Sequence, residues 1–297
     1  MKPTVAVVIP VREAERTIQD TLVSAVRECS HVNAELILTV SATDPTARLL
    51  RSMDLQGAKL LVAPGPQGIP QLRRNGVNAT TAQFIVIAED HCTFPDGWLL
   101  ELVTAMDRHA VDVSGGGVDQ GLDTYAGWAQ YFTRYSNFMP PLVEGSTKIL
   151  AGNNACYRRD VLLRHADLLT DGFWEAEFNH EIVQEKSFWL CARATVRQHQ
   201  NRGIVDYIPL RFRHGRCYGA RRWGATPASQ RAALLLQSPL IPALLFVRAA
   251  RAVFGKSRNR WRFTAACPLL LVYFLAWGTG EVTGYLTGAG GSCVRTD

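Results

Sequence analysis

Three consecutive residues, Glu89, Asp90 and His91, bring two carboxylates and an imidazole to one point of the chain. Hard oxygen and imidazole donors of this kind suit a divalent cation, above all one that carries phosphates. They follow directly on the apolar run Phe84-Ile85-Val86-Ile87-Ala88, and Pro95-Asp96-Gly97 marks a turn before a helical pattern opens at Trp98. The plainer alternative is an acidic turn that only caps that helix. A second acid, Glu175, stands among Phe173, Trp174 and Phe178. An apolar setting raises a carboxyl pKa and suits it to act as a base. The competing reading puts Glu175, Glu177, Glu181 and Glu185 on the solvated face of a helix.

These residues need a scaffold, and the pattern around them supplies one. A strand apolar on both faces implies a buried parallel sheet, and acids at its carboxyl end lie where open α/β sheets bind ligands. Residues 4–9 form a first buried strand that ends at Pro10-Val11-Arg12-Glu13, and Ile18, Leu22, Ala25 and Val26 share one face of the helix that follows. Residues 35–40 and 59–62 read as strands with a short helix over 46–53 between them. Pro70 suits the first turn of a helix carrying Arg73, Arg74, Asn75 and Val77. Strand and helix thus alternate four times, which predicts an α/β fold with a mostly parallel sheet and helices on both faces. Further on, residues 111–118 read as a strand. Its Gly115-Gly116-Gly117 either passes close to a ligand or another backbone, or bends. Residues 125–139 predict an irregular helix, and 151–160 a small-residue turn running into a strand and a helix. His31, His109, His165 and His180 read as structural.

Charge is unevenly distributed. Through Asp206 there are 19 basic and 24 acidic residues, a net of −5, whereas residues 207–280 hold 12 basic residues and no acid. A basic, apolar tail on a mildly acidic body points to an anionic membrane surface. Nucleic acid is not expected as a partner, because no recognition module or set of stacking aromatics is present. The 7 cysteines, odd in number and without a CxxC pair, read as reduced thiols of a cytosolic protein. The apolar run before Pro10 is too short for a signal peptide.

Taken in order, six pieces resemble glycosyltransferase family 2. They are Val7-Val8-Ile9-Pro10-Val11-Arg12-Glu13, Thr43-Asp44-Pro45-Thr46, Arg74-Asn75-Gly76, Glu89-Asp90-His91, Gly152-Asn153-Asn154-Ala155 with Arg158-Arg159, and Trp174-Glu175-Ala176-Glu177-Phe178. The resemblance covers roughly residues 4–220 and implies a GT-A, Rossmann-like fold that binds a nucleotide sugar. It implies that Pro10, Val11, Arg12 and Glu13 line the nucleotide, that Arg74 helps hold it, and that Asn153 and Asn154 contribute to substrate binding. Glu89-Asp90-His91 stands where the family has its DxD, with His199 a further candidate ligand, for Mg²⁺ or Mn²⁺ on the sugar-nucleotide diphosphate. Glu175 falls at the position of the base that takes the acceptor hydroxyl proton, and Arg213 and Arg216 would bring cations near the diphosphate. Where the family carries an acid at the end of the second strand, this chain has Thr39-Val40-Ser41, which leaves the nucleotide base open.

The remainder predicts attachment to a membrane. Residues 263–280 carry no charged side chain, and 18 residues at about 1.5 Å each come close to a bilayer span. Residues 232–247 are apolar but interrupted by Pro239 and Pro242, which favours an interfacial segment. The expected organisation is a GT-A domain over 1–220, a basic interfacial region over 221–262, and a transmembrane helix with a short tail over 263–297. The expected activity is an inverting, metal-dependent hexosyl transfer to a glycan or lipid-linked acceptor, of the kind used in polysaccharide or glycolipid synthesis. It would take place at the cell membrane with the catalytic domain facing the cytoplasm. Two alternatives stand beside it. A nucleotidyltransferase on a similar sheet would want a glycine- and lysine-rich segment after the first strand, which Pro10-Val11-Arg12-Glu13 lacks. A catalytically impaired membrane scaffold would not need Glu89, Asp90 and Glu175 together.

Overall fold

The computed structural model describes residues 4–200 and 202–295. The chain divides into two compact units, Met1–Gly121 with Phe138–His199, and Leu122–Asn137 with Gln200–Asp297.

The first unit begins with β1 (Val5–Val11), α1 (Ile18–Val32), β2 (Glu35–Ser41), α2 (Pro45–Ser52) and β3 (Lys59–Ala63). It continues through α3 (Ile69–Asn78), β4 (Phe84–Ala88), β5 (Cys92–Thr93), α4 (Trp98–Arg108) and β6 (Val113–Gln120). After α5 (Tyr125–Tyr135), which belongs to the second unit, come β7 (Gly145–Thr147), β8 (Asn154–Arg158), α6 (Arg159–Arg164), α7 (Glu175–Ile182) and β9 (Phe188–Gln198). The strands form one sheet in the order β3-β2-β1-β4-β8-β6-β9-β5, with β7 paired to β9.

Every residue of β1 and β4 is buried, as runs of Val, Ile and Ala without a polar face require. Strands β1 to β4 pair in parallel as expected. Beyond them the sheet is mixed, because β8 runs antiparallel to both β4 and β6. The regular strand–helix alternation that enforces parallel pairing ends at α4. Glycines set two close approaches. A Cβ on Gly76 of α3 would stand 2.3 Å from Val8 Cγ1, so that helix lies directly on β1. A Cβ on Gly116 would fall 1.7 Å from the Ala194 carbonyl oxygen, so the glycine run of β6 serves backbone contact with β9.

The second unit contains α5, α8 (Tyr207–Ala225), α9 (Ala228–Gln237), α10 (Ile241–Gly255) and α11 (Arg260–Thr287). Residue 220 therefore lies inside a helix of this unit. Helices α8 and α11 run side by side in the same direction with their backbones in contact. A Cβ on Gly215 or Gly219 would meet the carbonyls of Trp277 and Glu281 at 2.1 and 2.2 Å, and one on Gly280 or Gly284 those of Phe212 and Arg216 at 2.1 and 2.3 Å. Small residues four apart on both helices permit this approach. The N-terminal part of α11 packs through Phe263 on Phe132 of α5 and on Phe246 and Phe254 of α10. Ala228–Gly255 and Arg260–Thr287 are each long and apolar enough to cross a membrane. They differ in burial: 11% of the apolar window in the first is covered, against 50% in the second.

The expectation that all cysteines are reduced is corrected. Cys217 on α8 and Cys293 beyond α11 form a disulfide, their Cα atoms 5.0 Å apart across 76 residues. Parallel packing of α8 and α11 brings these two positions together, which no local spacing announces. Cys29, Cys92, Cys156, Cys191 and Cys267 form no disulfide.

Candidate active site

Strand β1 has β2 on one side and β4 on the other, so the sheet order reverses between β1 and β4. The carboxyl ends of strands at such a switch point form the crevice in which α/β sheets bind ligands. Two loops meet there. The Arg12 backbone N–H donates to Asp90 Oδ2 at 2.6 Å. Glu13, at φ +49°, donates its N–H to the Asp44 carboxylate at 3.0 Å, and Asp44 also caps α2 through the Thr46 N–H. The segment after β1 is therefore clamped between Asp44 and Asp90.

Helix α1 splints the other loop along its length. Thr17 and Thr21 donate their hydroxyls to the Asp90 carbonyl at 2.8 and 2.9 Å. Arg27 reaches the Phe94 carbonyl at 2.6 Å, and Glu28 accepts from the N–H groups of Gly97 and Leu99 at the start of α4. The acidic turn thus has its own support, and capping α4 is the work of Glu28.

Glu89, Asp90 and His91 are all buried. His91 lies between the two acids, with Nδ1 3.0 Å from Asp90 Oδ1 and Nε2 3.1 Å from Glu89 Oε2. Burial alone would disfavour the charged ring, but hydrogen bonds to both carboxylates, and their charges, push its pKa up to about 9. Burial also raises the Asp90 pKa, against the pull of His91 and the Arg12 N–H, while Glu89 adds to the rise.

The residue that ties the site together is Arg73, only 3% exposed. Its Nη2 donates to Glu89 Oε1 at 2.7 Å, and its Nη1 donates to Glu175 Oε2. Arg73 and Gly76 are three residues apart on α3, so the contact of Gly76 with β1 turns Arg73 toward the sheet. Arg74 points elsewhere. It donates to the Thr170 carbonyl and lines a cleft with Asn75, Arg159 and Leu162 that does not include the acids. The segment leading to Glu175 is strapped to the first half of α3 by that bond and two more, from Phe173 N to the Pro70 carbonyl and from Gln71 Nε2 to the Asp171 carbonyl, both 2.7 Å. Glu175 opens α7 and lies against Gly152, where a Cβ would stand 1.8 Å from its Cγ. Its carboxylate meets Arg73 rather than the apolar pocket that the flanking aromatics led one to expect.

The remaining candidates fall into separate groups. His199 pairs its backbone with His91, its N–H on the His91 carbonyl at 2.7 Å, while its Nε2 lies 2.9 Å from Thr93 Oγ1. Burial lowers its pKa. Asn153 is buried with Nδ2 against Cys92 Sγ. Asn154 braces the sheet. Its Nδ2 donates to the carbonyls of Gly117 and Ala194 at 2.8 and 2.7 Å, and its Oδ1 accepts from Trp98 Nε1 at 2.8 Å. Pro10 and Val11 finish β1. Arg213 and Arg216 stand on α8 in the second unit, where Arg216 donates to the Gly288 carbonyl at 2.9 Å and so ends α11.

The sequence profile of glycosyl transferase family 2 matches residues 6–165. The chain belongs to this family. The same fold occurs in the mannosyltransferase PcManGT from Pyrobaculum calidifontis, solved with GDP-Man and Mn²⁺; it is 15% identical, with a TM-score of 0.57 over 95% of this chain and 87% of that one. S. aureus TarS 1–349 is 14% identical with a TM-score of 0.50, covering 97% of this chain and 92% of that one. GalNAc-T7, solved with UDP, GalNAc and Mn²⁺, is 14% identical with a TM-score of 0.51 over 76% of this chain and 52% of that one. At such identities these structures share the GT-A fold and nothing more specific. No curated protein matches the chain.

Two of those family-fold structures hold Mn²⁺, and the acids of this chain fit such an ion in kind. Two adjacent carboxylates at the crevice are the donors a hard divalent cation takes. They are held closed, however. Among the described residues no three His, Cys, Asp or Glu are arranged to hold a metal as they stand. Glu89 is turned to Arg73 and His91, and Asp90 to the Arg12 N–H and His91. Arg73 was the residue hidden in the sequence; its helical spacing to Gly76 was the one signal for it.

Proposed function

We propose that the chain transfers a hexosyl group, with inversion, from a nucleotide-sugar donor to a glycan or lipid-linked acceptor. The supporting observation is the gathering of Glu89, Asp90 and Glu175 into one cluster at the switch point of the sheet, with Arg73 joining Glu89 to Glu175 and His91 lying between Glu89 and Asp90. Glu175 accepts the proton of the acceptor hydroxyl as its oxygen attacks the anomeric carbon. The bond to the nucleoside diphosphate breaks on the opposite face, so a single displacement inverts the centre. Glu89 and Asp90 would hold Mg²⁺ or Mn²⁺, which when bound supplies charge neutralisation on the departing diphosphate. Arg12 and Glu13, fixed by Asp90 and Asp44, shape the floor on which the nucleotide lies.

A lipid-linked acceptor fits a protein attached to a membrane, and α9–α10 is the surface best suited to that contact. It leaves Leu236, Leu240, Leu244 and Phe254 exposed beside Arg248 and Arg251. Helix α11, backed by the arginine-rich α8, is the better candidate for an internal support than for the single crossing expected over 263–280. The basic stretch favours a cytoplasmic face; the Cys217–Cys293 disulfide weighs against it, because cytosolic thiols are kept reduced.

A thermal-shift screen of UDP-, GDP- and dTDP-sugars in Mn²⁺ or EDTA tests the donor assignment. One nucleotide sugar should raise the melting temperature in Mn²⁺, and Asp90→Asn should remove that rise. No shift with any donor would contradict the proposal. Carbonate washing of membranes tests the attachment: release supports the surface contact, retention a crossing helix.

A further inference from the structure

Arg73 is the least expected member of the site. A guanidinium cannot shed its charge inside a protein, and this one is almost fully buried between two acids from distant parts of the chain. Glu89 is 16 residues away and Glu175 is 102. The two acids have different roles in the proposed reaction, one toward the cation and the other toward the acceptor. Arg73 is a rigid fork whose two ends hold one of each. Its backbone has little freedom, since α3 lies on β1 through Gly76 and the segment before Glu175 is strapped to the same helix. Movement at this junction is therefore confined to side chains.

A divalent cation on Glu89 and the guanidinium at its Oε1 compete for one carboxylate. Both carry positive charge, and in a buried site like charges at one carboxylate repel strongly. When Glu89 turns to a cation, Arg73 loses one of its two partners and its hold on Glu175 changes in the same event.

We propose that Arg73 is a positioning residue that competes with the cation for Glu89 and couples cation binding there to the placement of Glu175. This rests on the reading of Glu89 as a cation ligand and Glu175 as the base. The coupling predicts opposite effects on two measurements. Removing Arg73 takes the guanidinium off Glu89 and tightens the metal; the same change leaves Glu175 unplaced and slows transfer. A variant that merely loosened the fold would weaken both.

The test is a titration of Mn²⁺ alone, followed by electron paramagnetic resonance, on the full chain and on Arg73→Gln and Arg73→Lys. Circular dichroism confirms that the variants are folded. Arg73→Gln should bind Mn²⁺ at least tenfold more tightly than the wild type, and its kcat at saturating Mn²⁺ and donor should fall at least tenfold. Arg73→Lys, which keeps the charge but pairs with one carboxylate at a time, should lie between on both measurements and remains informative where the Gln variant fails to fold. Adding Glu89→Gln to either variant should abolish the tighter binding. Equal or weaker Mn²⁺ binding in both variants, or no binding in any form, would overturn the proposal. The base assignment fails separately: normal turnover by Glu175→Gln would remove it and leave the Mn²⁺ comparison standing.

Discussion

Two buried acids of this molecule invite comparison. Glu89 in the first unit is held by Arg73 and His91, and Glu281 in the second accepts from Arg222 Nη1 and Trp277 Nε1, each at 3.0 Å, and from Tyr285. Both are buried and paired with a cation. The difference lies in where the partners come from. Those of Glu281 sit on two neighbouring helices, with Trp277 and Tyr285 four residues away on its own helix. The cluster around Glu89 collects side chains and backbone from β1, α3, the turn after β4 and the start of α7. A network inside one helix pair can only lock that pair. One assembled from a loop end, a helix and a helix start can change partners without unfolding, which suits it to the site proposed there. Burial of charge does not by itself mark chemistry.

The comparison can be broken most directly at Glu281. Its removal takes the acceptor from Trp277 Nε1 and Tyr285 and leaves Arg222 Nη1 only the Tyr285 hydroxyl, at a cost of about 3 kcal/mol. This is the low end for a buried pair, because the Arg222 side chain stays 42% exposed. Urea unfolding of Glu281→Ala should show the loss, while turnover per folded molecule stays near wild type. A large fall in kcat would mean that the second unit takes part in the chemistry.

A pH effect of similar size belongs to the first unit. The folded pKa of His91 lies above its unfolded value of 6.5, at about 9. The stabilisation from its charged form is therefore complete below pH 6.5 and lost as pH rises through about 9. At about 1.4 kcal/mol per pH unit of displacement it amounts to something on the order of 3 kcal/mol. Unfolding measured from pH 6 to 9.5 should fall more steeply for the wild type than for His91→Gln. Parallel curves would show that His91 is not charged between the two acids.

A smaller effect is expected at Gly152. A Cβ there would collide with Glu175 Cγ, whereas one on Gly224 would meet nothing within 4 Å. Gly152→Ala should lower turnover by about tenfold to a hundredfold through displacement of Glu175, with donor binding unchanged, and Gly224→Ala should do neither. The smallest measurement is a count of thiols. Unreduced, denatured protein should react at the five cysteines outside the disulfide and not at all 7 of the sequence; seven would place Cys217 and Cys293 in the reduced state.

Much of the first unit was legible because its central strands are unambiguous. Runs such as Val5-Ala6-Val7-Val8-Ile9 and Phe84-Ile85-Val86-Ile87-Ala88 have no polar face and cannot be surface elements. Strand β9 was not legible. Its sequence carries Arg193 and Arg197 among apolar residues, and it pairs with β5 and β6, more than 70 residues earlier, as well as with β7. At the site, Glu89, Asp90, His91 and Glu175 stood out as acids and a histidine at a strand end and beside a small-residue turn. What could not be read was the phase of α3 on the sheet, which decides between Arg73 and Arg74. That choice depends on the contact of Gly76 with Val8. Asn154 looked like a ligand for the opposite reason: its amide sits in a motif, but the sheet uses both of its ends.

The central claim is that Glu175 is the base of a cluster whose other acids serve the donor. The most direct measurement is single-turnover transfer by Glu175→Gln at saturating donor and Mn²⁺, alongside donor affinity. Donor affinity should stay within about twofold of wild type and transfer should slow by about 10²–10⁴-fold, as loss of a general base does. Transfer within a few fold of wild type would contradict it.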